Sequence, residues 1–358
     1  MDIWINGYKM LTGVKEIARR ANVSTGTVDR VLHNRTGVSE ATKNKILAIM
    51  KELDYQPNIL ARRLASKKVL RFASLIPSVS AETEYWDAPI KGIEMAEAEI
   101  KQFGIVIDKY FYDQNDKQSF VKQSNNILKT PIDGILVAPI FIEESLAFSK
   151  LCNLKKIPQV FINSDIPNES RLSYIGPDLF QSGHLSAHMV NYLVASGDKI
   201  LIVNISKEID SYHHLMRKEE GFIAYFKDHQ KKVKIIKTDI TPDTDYPSVA
   251  KRLTEVLTEH TDVKAIFVTN SRVFSVAQFL QKTNQEHIFL VGYDFLPGSI
   301  EHLKNGVIDF LICQKPQEQA YKGIMALYQN VVLNGDVEPT YFMPIDVITK
   351  ENYTSYRN

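Results

Sequence analysis

The sequence has little cysteine and no long apolar run. Its 358 residues include two cysteines, Cys152 and Cys313, which are far apart in apolar surroundings, so we expect buried free thiols as in a reducing compartment. No stretch approaches the roughly 18 apolar residues of a membrane span. The first eleven residues lack the basic start and apolar centre of a signal peptide. These absences predict a cytoplasmic protein without membrane contact. Residues 1–11 are expected to form a flexible extension, and a misplaced start upstream of Met10 is the alternative.

Motifs for nucleotide binding and catalysis are also missing. The sequence has no phosphate-binding P-loop, no GxGxxG fingerprint, no HExxH pair and no nucleophile elbow. His184 and His188 are one helical turn apart, but no third metal ligand is near them in the sequence. We therefore expect a protein that is not an enzyme and needs neither a cofactor nor a metal.

The charge of the chain is unevenly distributed. Residues 1–68 contain 13 basic and 6 acidic side chains, a net charge of +7, while the remainder carries −6. A small basic segment on a mildly acidic body indicates an acidic partner for the N-terminus, and nucleic acid is the usual one. A basic surface without a partner is the alternative.

The length of the chain also predicts two or three domains.

Residues 14–32 have the pattern of two short helices joined by a tight turn. Val14, Ile17, Ala18 and Ala21 form one apolar stripe, and Ser24 is a suitable N-cap for a second helix. Two helices across such a turn form a helix-turn-helix, whose second helix can enter the DNA major groove. An ordinary helical hairpin has the same spacing. A third helix, capped by Ser39, completes a small domain near residue 55.

The outward residues of the second helix are candidates for DNA contact. Ser24 and Thr25 are placed to meet phosphate at a helix N-terminus, and Arg30 can bond guanine bidentately. Asp29 accepts from cytosine or, as an equal alternative, pairs with a nearby cation such as Arg30 or Arg35. The predicted contacts in this region are Ser24, Thr25, Gly26, Thr27, Asp29, Arg30, His33 and Asn34.

From residue 70 onward, short apolar runs alternate with amphipathic helical segments. About nine runs are typical of strands, from LRFASLIP at 70–77 to DFLICQ at 309–314. This alternation predicts an α/β fold with mostly parallel, doubly wound sheets, and nine strands favour two similar lobes with a boundary near 165–185. The predicted domains are a helix-turn-helix domain at 12–56, a linker at 57–68 and a two-lobed domain at 69–358.

The segment VKEIARRANVSTGTVDRVLHN, followed by VSEATKNKILAIMKELDYQPNILARRLAS, resembles the N-terminal domain of the lactose-repressor (LacI/GalR) family. The remainder resembles that family's effector domain, which has the fold of periplasmic sugar-binding proteins. The resemblance implies a transcription regulator, most often a repressor, that binds a palindromic double-stranded operator as a homodimer or larger oligomer. Gly26 and Asp29 depart from the family's usual larger side chain and serine, so fewer base contacts are expected there.

The resemblance also implies a hinge helix within residues 57–68. Leu64 stands where the family's leucine wedges into the minor groove, and such a wedge unstacks and kinks the duplex. Arg62 would add a phosphate contact, and Asn58 is a possible cap and DNA contact. Packing of Leu64 on the body of the protein is the alternative.

Residues that follow the apolar runs are candidates for binding a small molecule. Ligands bind at the carboxyl ends of parallel strands, and amides, carboxylates and aromatic faces are suited to a sugar or polyol. Tyr85 and Trp86 are candidate aromatic platforms. The predicted effector contacts are Trp86, Asp113, Phe141, Asn163, Arg217, Asn270, Asp294 and Gln314.

Four of these contacts are also implied by the family resemblance. Arg217 opens an RxxxGF segment, Asn270 follows a strand, Asp294 ends GYD and Gln314 stands in IxQxP. Helix caps or hydrogen bonds between the lobes are the alternative roles for them. Asn163 stands where many members have Asp, which weakens it as a partner for hydroxyl groups.

These observations predict a regulator of carbohydrate-utilisation genes, controlled by a sugar-like effector between two lobes. Three alternatives remain. One is a solute-binding protein without a regulatory role, and the second is a regulator that needs a corepressor and a non-sugar effector. The third is a sugar-metabolising enzyme, which the missing catalytic motifs disfavour.

Overall fold

The computed structural model describes residues 4–5, 8–9, 13–32, 35–55, 69–80, 84–166, 169–207, 213–241 and 243–357. The chain divides into two compact units, residues 1–66 and 67–358. Five predicted DNA contacts lie outside the described residues, namely His33, Asn34, Asn58, Arg62 and Leu64. Among the described helices, none has the length and apolar character to cross a membrane.

The N-terminal unit contains three helices. They are α1 (Val14–Ala21), α2 (Thr25–Leu32) and α3 (Glu40–Glu52). Within the segment expected to be an extension, strand β1 (Trp4–Ile5) pairs antiparallel with β2 (Tyr8–Lys9). The apolar stripes of the helices meet in one small core, in which the buried side chains are Ile17, Ala18, Ala21, Val28, Val31 and Ile46.

Local capping fixes the turn between α1 and α2. Asn22 takes a left-handed conformation (φ 58°), and its N–H bonds the carbonyls of Ala18 and Arg19, which ends α1. The predicted N-cap of α2 is confirmed, because Ser24 Oγ accepts from the N–H of Thr27 at 3.1 Å. The hydroxyls of Ser24 and Thr27 also bond each other at 2.9 Å. These contacts orient the first turn of α2.

A cluster of charges braces α1. Glu16 accepts hydrogen bonds from Arg19 and Arg20, and these two guanidinium groups lower the pKa of Glu16 to about 2. Arg20 also bonds Glu52 at 2.7 Å and so links α1 to the end of α3. Part of the basic charge of this unit is therefore used to hold its own helices.

The larger unit has two lobes, each with a six-stranded sheet. Lobe 1 contains the strands β3 (Leu70–Pro77), β4 (Ile105–Tyr112), β5 (Gly134–Val137), β6 (Gln159–Ile162), β7 (Ser173–Gly176) and β13 (Thr340–Phe342). Its helices are α4 (Asp87–Ile100), α5 (Lys117–Leu128), α6 (Ile142–Leu154) and α12 (Pro316–Val331). A 3₁₀ turn, Lys101–Phe103, extends α4.

Lobe 2 repeats the same plan. Its strands are β8 (Lys199–Ile205), β9 (Lys234–Ile240), β10 (Val263–Val268), β11 (Phe289–Tyr293), β12 (Phe310–Cys313) and β14 (Asp346–Ile348). Its helices are α7 (Leu179–Asn191), α8 (His213–Asp228), α9 (Tyr246–Glu259), α10 (Val273–Lys282) and α11 (Pro297–Lys304). A final 3₁₀ turn spans Tyr353–Ser355.

The strand order is the same in both lobes. Lobe 1 has the order β13-β7-β6-β5-β3-β4, and lobe 2 has β14-β12-β11-β10-β8-β9. All pairs are parallel except β12 with β14. Five strands of each sheet thus follow the doubly wound order 2-1-3-4-5, with a topological switch point between the first and third strands. The predicted fold class is confirmed.

The chain crosses between the lobes three times. It passes from β7 to α7 at residues 177–178, from β12 to α12 at residues 314–315, and from β13 to β14 at residues 343–345. Helix α12 follows a lobe 2 strand but packs on β5, β6 and β7 of lobe 1. The first crossing falls inside the predicted boundary, and the other two were not predicted.

Candidate functional site

The outer face of α2 is open to solvent. Ser24, Thr25, Gly26 and Arg30 are exposed, while Val28 and Val31 on the opposite side are buried. Thr27 and Asp29 are half-buried at the edge of this face. The helix therefore presents two hydroxyls at its N-terminus and one guanidinium in its last turn, which are groups that bond phosphate and guanine in DNA.

Asp29 forms an ion pair with a nearby cation, which was its alternative predicted role. Its carboxylate lies 3.4 Å from Nη1 of Arg35, and both side chains are about half exposed. A carboxylate on a DNA-contacting face repels phosphate unless a cation accompanies it. Arg35 supplies that cation here.

A cavity of the larger unit lies between the lobes, at the carboxyl ends of the strands in both sheets. The space between its lining atoms, including solvent at the open mouth, is about 660 Å³. Both switch points open into this cleft, as expected for doubly wound sheets. Lobe 1 contributes Tyr85, Trp86, Gln114, Asn115, Ile140 and Asn163, and lobe 2 contributes Ser206, His214, Lys218, Asn270, Arg272, Asp294 and Gln314 among others.

Five of the eight predicted effector contacts line this cavity. They are Trp86, Asn163, Asn270, Asp294 and Gln314, joined by the aromatic platform Tyr85. The structural roles proposed as alternatives are present too. Asn270 Nδ2 donates to the carbonyl of Ile205 at 2.6 Å, and its Oδ1 accepts from the N–H of Arg272 at 3.2 Å. These bonds tie the ends of β8 and β10 together beneath the cavity.

The other three predicted contacts lie elsewhere. Asp113 uses its carboxylate to cap the N–H of Asn115, at 2.8 Å. Phe141 is 1% exposed and packs in the core of lobe 1, because β5 ends at Val137 and the chain turns before α6. Arg217 stacks on the ring of Phe180 and bonds Glu220 on the outside of α8. Placing these three side chains in the cavity was wrong for this structure.

Lys218, which follows Arg217, is a cation that the sequence pattern did not predict. It is 3% exposed, its Nζ lies 3.6 Å from the centre of the Tyr293 ring, and it donates to the carbonyl of Thr269 at 3.3 Å. Burial lowers the pKa of Lys218 to about 8, and the charge of Asp294 opposes this shift. The amine is therefore mostly protonated at neutral pH.

Asp294 is the matching acid of the cavity. It is 6% exposed, and its Oδ1 accepts from Gln314 Nε2 at 2.9 Å. Burial raises the pKa of Asp294 to about 6, while Lys218 and Gln314 act in the opposite direction. At neutral pH the cavity thus contains an ionised carboxylate and an ammonium group in a largely dry setting. Burial also lowers the pKa of the nearby His214 to about 3, so its ring is neutral.

Two glycines determine which residue of α8 faces the cavity. A Cβ atom added to Gly183 of α7 would lie 1.8 Å from the carbonyl oxygen of Lys218, and one on Gly221 of α8 would lie 1.9 Å from that of Phe180. The two helices therefore touch backbone to backbone. This close approach fixes the rotation of α8, which turns Lys218 inward and leaves Arg217 outside.

Arg272 was also not predicted from the sequence. It is 8% exposed, lines the cavity and donates from Nη1 to the carbonyl of Thr244 at 2.9 Å. The sequence signal that could have identified Arg272 is its position two residues after Asn270, in the same loop at the end of β10. Across the described residues, no three His, Cys, Asp or Glu side chains come together as metal ligands.

Comparison with known proteins agrees with this architecture. Residues 72–335 match the periplasmic binding protein domain family, which is the class defined by the two lobes and the cleft between them. Residues 13–58 match the model for bacterial regulatory proteins of the lacI family. With both matches in one chain, the protein belongs to the lacI family of regulators that carry a periplasmic-binding-protein-like domain.

Two curated relatives cover part of the chain. Catabolite control protein A of Staphylococcus epidermidis is 28% identical over 190 residues, which are 53% of this chain and 54% of that protein. The HTH-type transcriptional regulator RegA of Clostridium acetobutylicum is 30% identical over 193 residues, with the same two shares. The chain thus spans about half the length of the curated relatives it matches.

Solved structures match the larger unit. A crystal structure assigned to the LacI transcriptional regulators, from Bacteroides fragilis, is 30% identical with a TM-score of 0.75, covering 81% of this chain and 100% of that chain. GanP, a glucose-galactose binding protein from Geobacillus stearothermophilus, is 21% identical with a TM-score of 0.71, covering 80% and 99%. The second likeness is one of fold.

Proposed function

We propose that the protein is a transcription regulator that binds operator DNA and is controlled by a sugar-like effector in the cavity. In this proposal it acts as a repressor of carbohydrate-utilisation genes in the cytoplasm, through binding rather than catalysis. One observation carries it: the same chain joins an exposed recognition-type helix to a cleft lined by amides, a carboxylate and aromatic rings. The regulator names of the curated relatives support the same function.

Helix α2 is the proposed DNA-reading element. Arg30 is exposed and suited to guanine, while Ser24 and Thr25 stand at the helix N-terminus, where phosphate is favoured. A homodimer would place two such helices on a palindromic double-stranded operator. Residues 57–68, with Leu64 as the minor-groove wedge, remain the proposed hinge between the DNA-binding unit and the larger one.

The cavity has the chemistry of a polyhydroxyl site. The carboxylate of Asp294 accepts from hydroxyl groups, the amides of Asn163 and Gln314 donate and accept, and Trp86 offers an apolar ring. GanP, which shares the fold, is named for binding glucose and galactose. We therefore infer a neutral sugar or polyol as the effector. Its binding would shift the equilibrium between two cleft arrangements, with a coupling free energy of about 1–3 kcal/mol between the effector and DNA.

The DNA-binding function is tested by selection from a pool of random duplexes with the full-length protein. We expect enrichment of a palindromic motif. Arg30→Ala should weaken binding of the selected duplex by about 1–3 kcal/mol, since one bidentate base contact is worth that much. Arg19→Ala is the matched control, because it removes the same charge from an exposed position on α1. A selection without any motif, or equal losses in both variants, would contradict the proposal.

The effector function is tested by thermal unfolding against a panel of pentoses, hexoses and polyols. A ligand that binds only the folded protein raises the melting temperature. The same compound should change the affinity for the selected duplex, and the direction of that change separates an inducer from a corepressor. Asp294→Ala should abolish the melting shift while leaving DNA binding intact. Failure of every compound would exclude a sugar effector without affecting the DNA result.

A further inference from the structure

A continuous line of hydrogen bonds connects the two halves of the cavity. In lobe 2, Gln314 Nε2 donates to Asp294 Oδ1 at 2.9 Å. The carbonyl of Gln314 accepts from Gln319 Nε2 at 2.7 Å, and Gln319 Oε1 accepts from the N–H of Asn163 at 2.9 Å. In lobe 1, Asn163 Nδ2 donates to the hydroxyl of Tyr85 at 2.6 Å. Five residues therefore link the acid of lobe 2 to the aromatic platform of lobe 1.

Gln319 is the member of this line that does not line the cavity. It is 1% exposed and lies in the first turn of α12, directly after the crossing at residues 314–315. Its two amide atoms bond main-chain groups on opposite sides, a carbonyl from lobe 2 and an N–H from lobe 1. Glutamine is suited to this position because one planar group both donates and accepts.

The main chain that Gln319 holds in lobe 1 is strained. Asn163 has φ 66°, and the N–H of Ser164 donates to the carbonyl of Ile162 at 2.7 Å. This is a three-residue turn centred on a non-glycine residue with positive φ, a conformation that surrounding contacts must stabilise. The bond from Gln319 to the Asn163 N–H is such a contact. It keeps the side chain of Asn163 directed at Tyr85.

We propose that Gln319 is a positioning residue for the effector cavity. It fixes the strand end that carries Asn163 against the strand end that carries Gln314, and so sets Tyr85 and Asp294 at a defined separation. The inference rests on the proposed function only in treating this cavity as the effector site. A ligand that bridges the lobes then finds both sides already aligned, although Gln319 never touches it.

The test uses Trp86, which lines the cavity and packs edge-on against Tyr85 at 5.0 Å. The chain has two tryptophans, so Trp4→Phe leaves Trp86 as the single reporter. Acrylamide quenching of its fluorescence measures access to the cavity without any ligand. Gln319→Met keeps the length of the side chain and removes both hydrogen bonds. We expect the quenching constant to rise about twofold or more, because the cavity wall opens locally once the line is broken.

Gln317→Met is the matched control. It makes the same substitution in the same turn of α12, where the side chain bonds Met95 outside the cavity. This control should leave the quenching constant unchanged. A rise of equal size in both variants would overturn the proposal, because the effect would then come from α12 as a whole.

A second variant keeps the proposal testable even when Gln319→Met does not fold. Tyr85→Phe retains the ring and removes the last hydrogen bond of the line, so it should raise quenching in the same direction. In the double variant the rise should be no larger than the greater single effect, since both changes break one line. Additive effects, or unchanged quenching in the folded single variants, would overturn the proposal. The assay contains neither DNA nor sugar, so its outcome is independent of the proposed function.

Discussion

Asn163 and Asp294 occupy equivalent positions in the two lobes. Each directly follows the fourth strand of the order 2-1-3-4-5, each lines the cavity, and each has a left-handed backbone, with φ of 66° and 73°. Asn and Asp are the non-glycine residues that adopt this conformation most readily. The equivalent strand end of each lobe therefore supplies one residue to the cleft, with an amide in lobe 1 and a carboxylate in lobe 2.

Asn163→Gly should separate stability from ligand response. Glycine adopts positive φ without strain, so we expect the free energy of unfolding to change by less than about 1 kcal/mol. The hydrogen bond to Tyr85 is lost, and with it the melting shift caused by the active sugar. Asn284→Gly is the control, because Asn284 is exposed, has φ 53° and lies outside the cavity. A full sugar response in Asn163→Gly would show that this amide has no role.

The buried charges of Asp294 and Lys218 should leave a signature in the pH dependence of stability. Their pKa values are about 6 and about 8, against about 3.9 and 10.4 for unperturbed groups. Between roughly pH 4 and 6 the native state binds more protons at Asp294, so the free energy of unfolding falls as pH rises. Between roughly pH 8 and 10 the unfolded chain binds more protons at Lys218, so the free energy of unfolding increases as pH rises. Urea unfolding at pH 5, 7 and 9 should reveal a minimum near neutrality.

Removing both charges should flatten that minimum. Asp294→Asn combined with Lys218→Met is expected to stabilise the empty protein at pH 7 by up to about 4 kcal/mol, because two desolvated charges are replaced. The sugar response should disappear in the same variant. Asp87→Asn with Lys91→Met removes an exposed pair on α4 and should change stability by less than about 1 kcal/mol. Equal pH profiles for the cavity variant and the wild type would contradict the assignment.

Gly221→Ala should destabilise the larger unit and disturb Lys218. The added methyl group meets the carbonyl oxygen of Phe180, which belongs to the backbone and cannot rotate away. Forced overpacking typically costs about 1–3 kcal/mol. Gly298→Ala is the control, since its Cβ would lie 3.5 Å from the Phe274 ring in ordinary contact. Urea unfolding distinguishes the two, and equal stabilities would show that α7 and α8 can separate without cost.

Two glycines of the N-terminal unit should respond in opposite directions. Gly26 lies inside α2, and an added Cβ would be 3.7 Å from Ser24 Oγ, so Gly26→Ala should stabilise the helix by about 0.5–1 kcal/mol. Gly37 has φ 96°, where alanine is strained, so Gly37→Ala should destabilise the unit although the space is open. Amide hydrogen exchange in α1–α3 of the full chain measures both. Protection changes of the same sign in the two variants would contradict these backbone assignments.

Long periodic segments were predictable from the sequence, and short ones paired over long distances were not. The run at 70–77 was predicted at the observed bounds of β3. Strands β7, β13 and β14 were missed. β13 and β14 have only three residues each, and β7 (SYIG) is not the continuous apolar run that identified another four-residue strand, β12. Residues 340–342 form a strand because β7, far away in the sequence, offers them an edge.

The cavity was predictable to the level of strand ends but not of helix rotation. Asn163, Asn270, Asp294 and Gln314 follow strands directly, so topology alone brings them together. Lys218 lines the cavity in place of the predicted Arg217 because of the way α8 is rotated against α7. That rotation is set by backbone contact at Gly183 and Gly221, and no local sequence pattern predicts such a contact.

The three crossings between the lobes also determine the order in which the molecule can be completed. Lobe 1 begins with β3 at Leu70, but its helix α12 and its edge strand β13 come only after nearly all of lobe 2. During synthesis the sheet of lobe 1, whose first strands are made before lobe 2, therefore stays incomplete until residues 316–342 have been synthesised. Until then the faces of β5 and β6 that α12 will cover are unprotected, and this interval is when the chain depends most on chaperones.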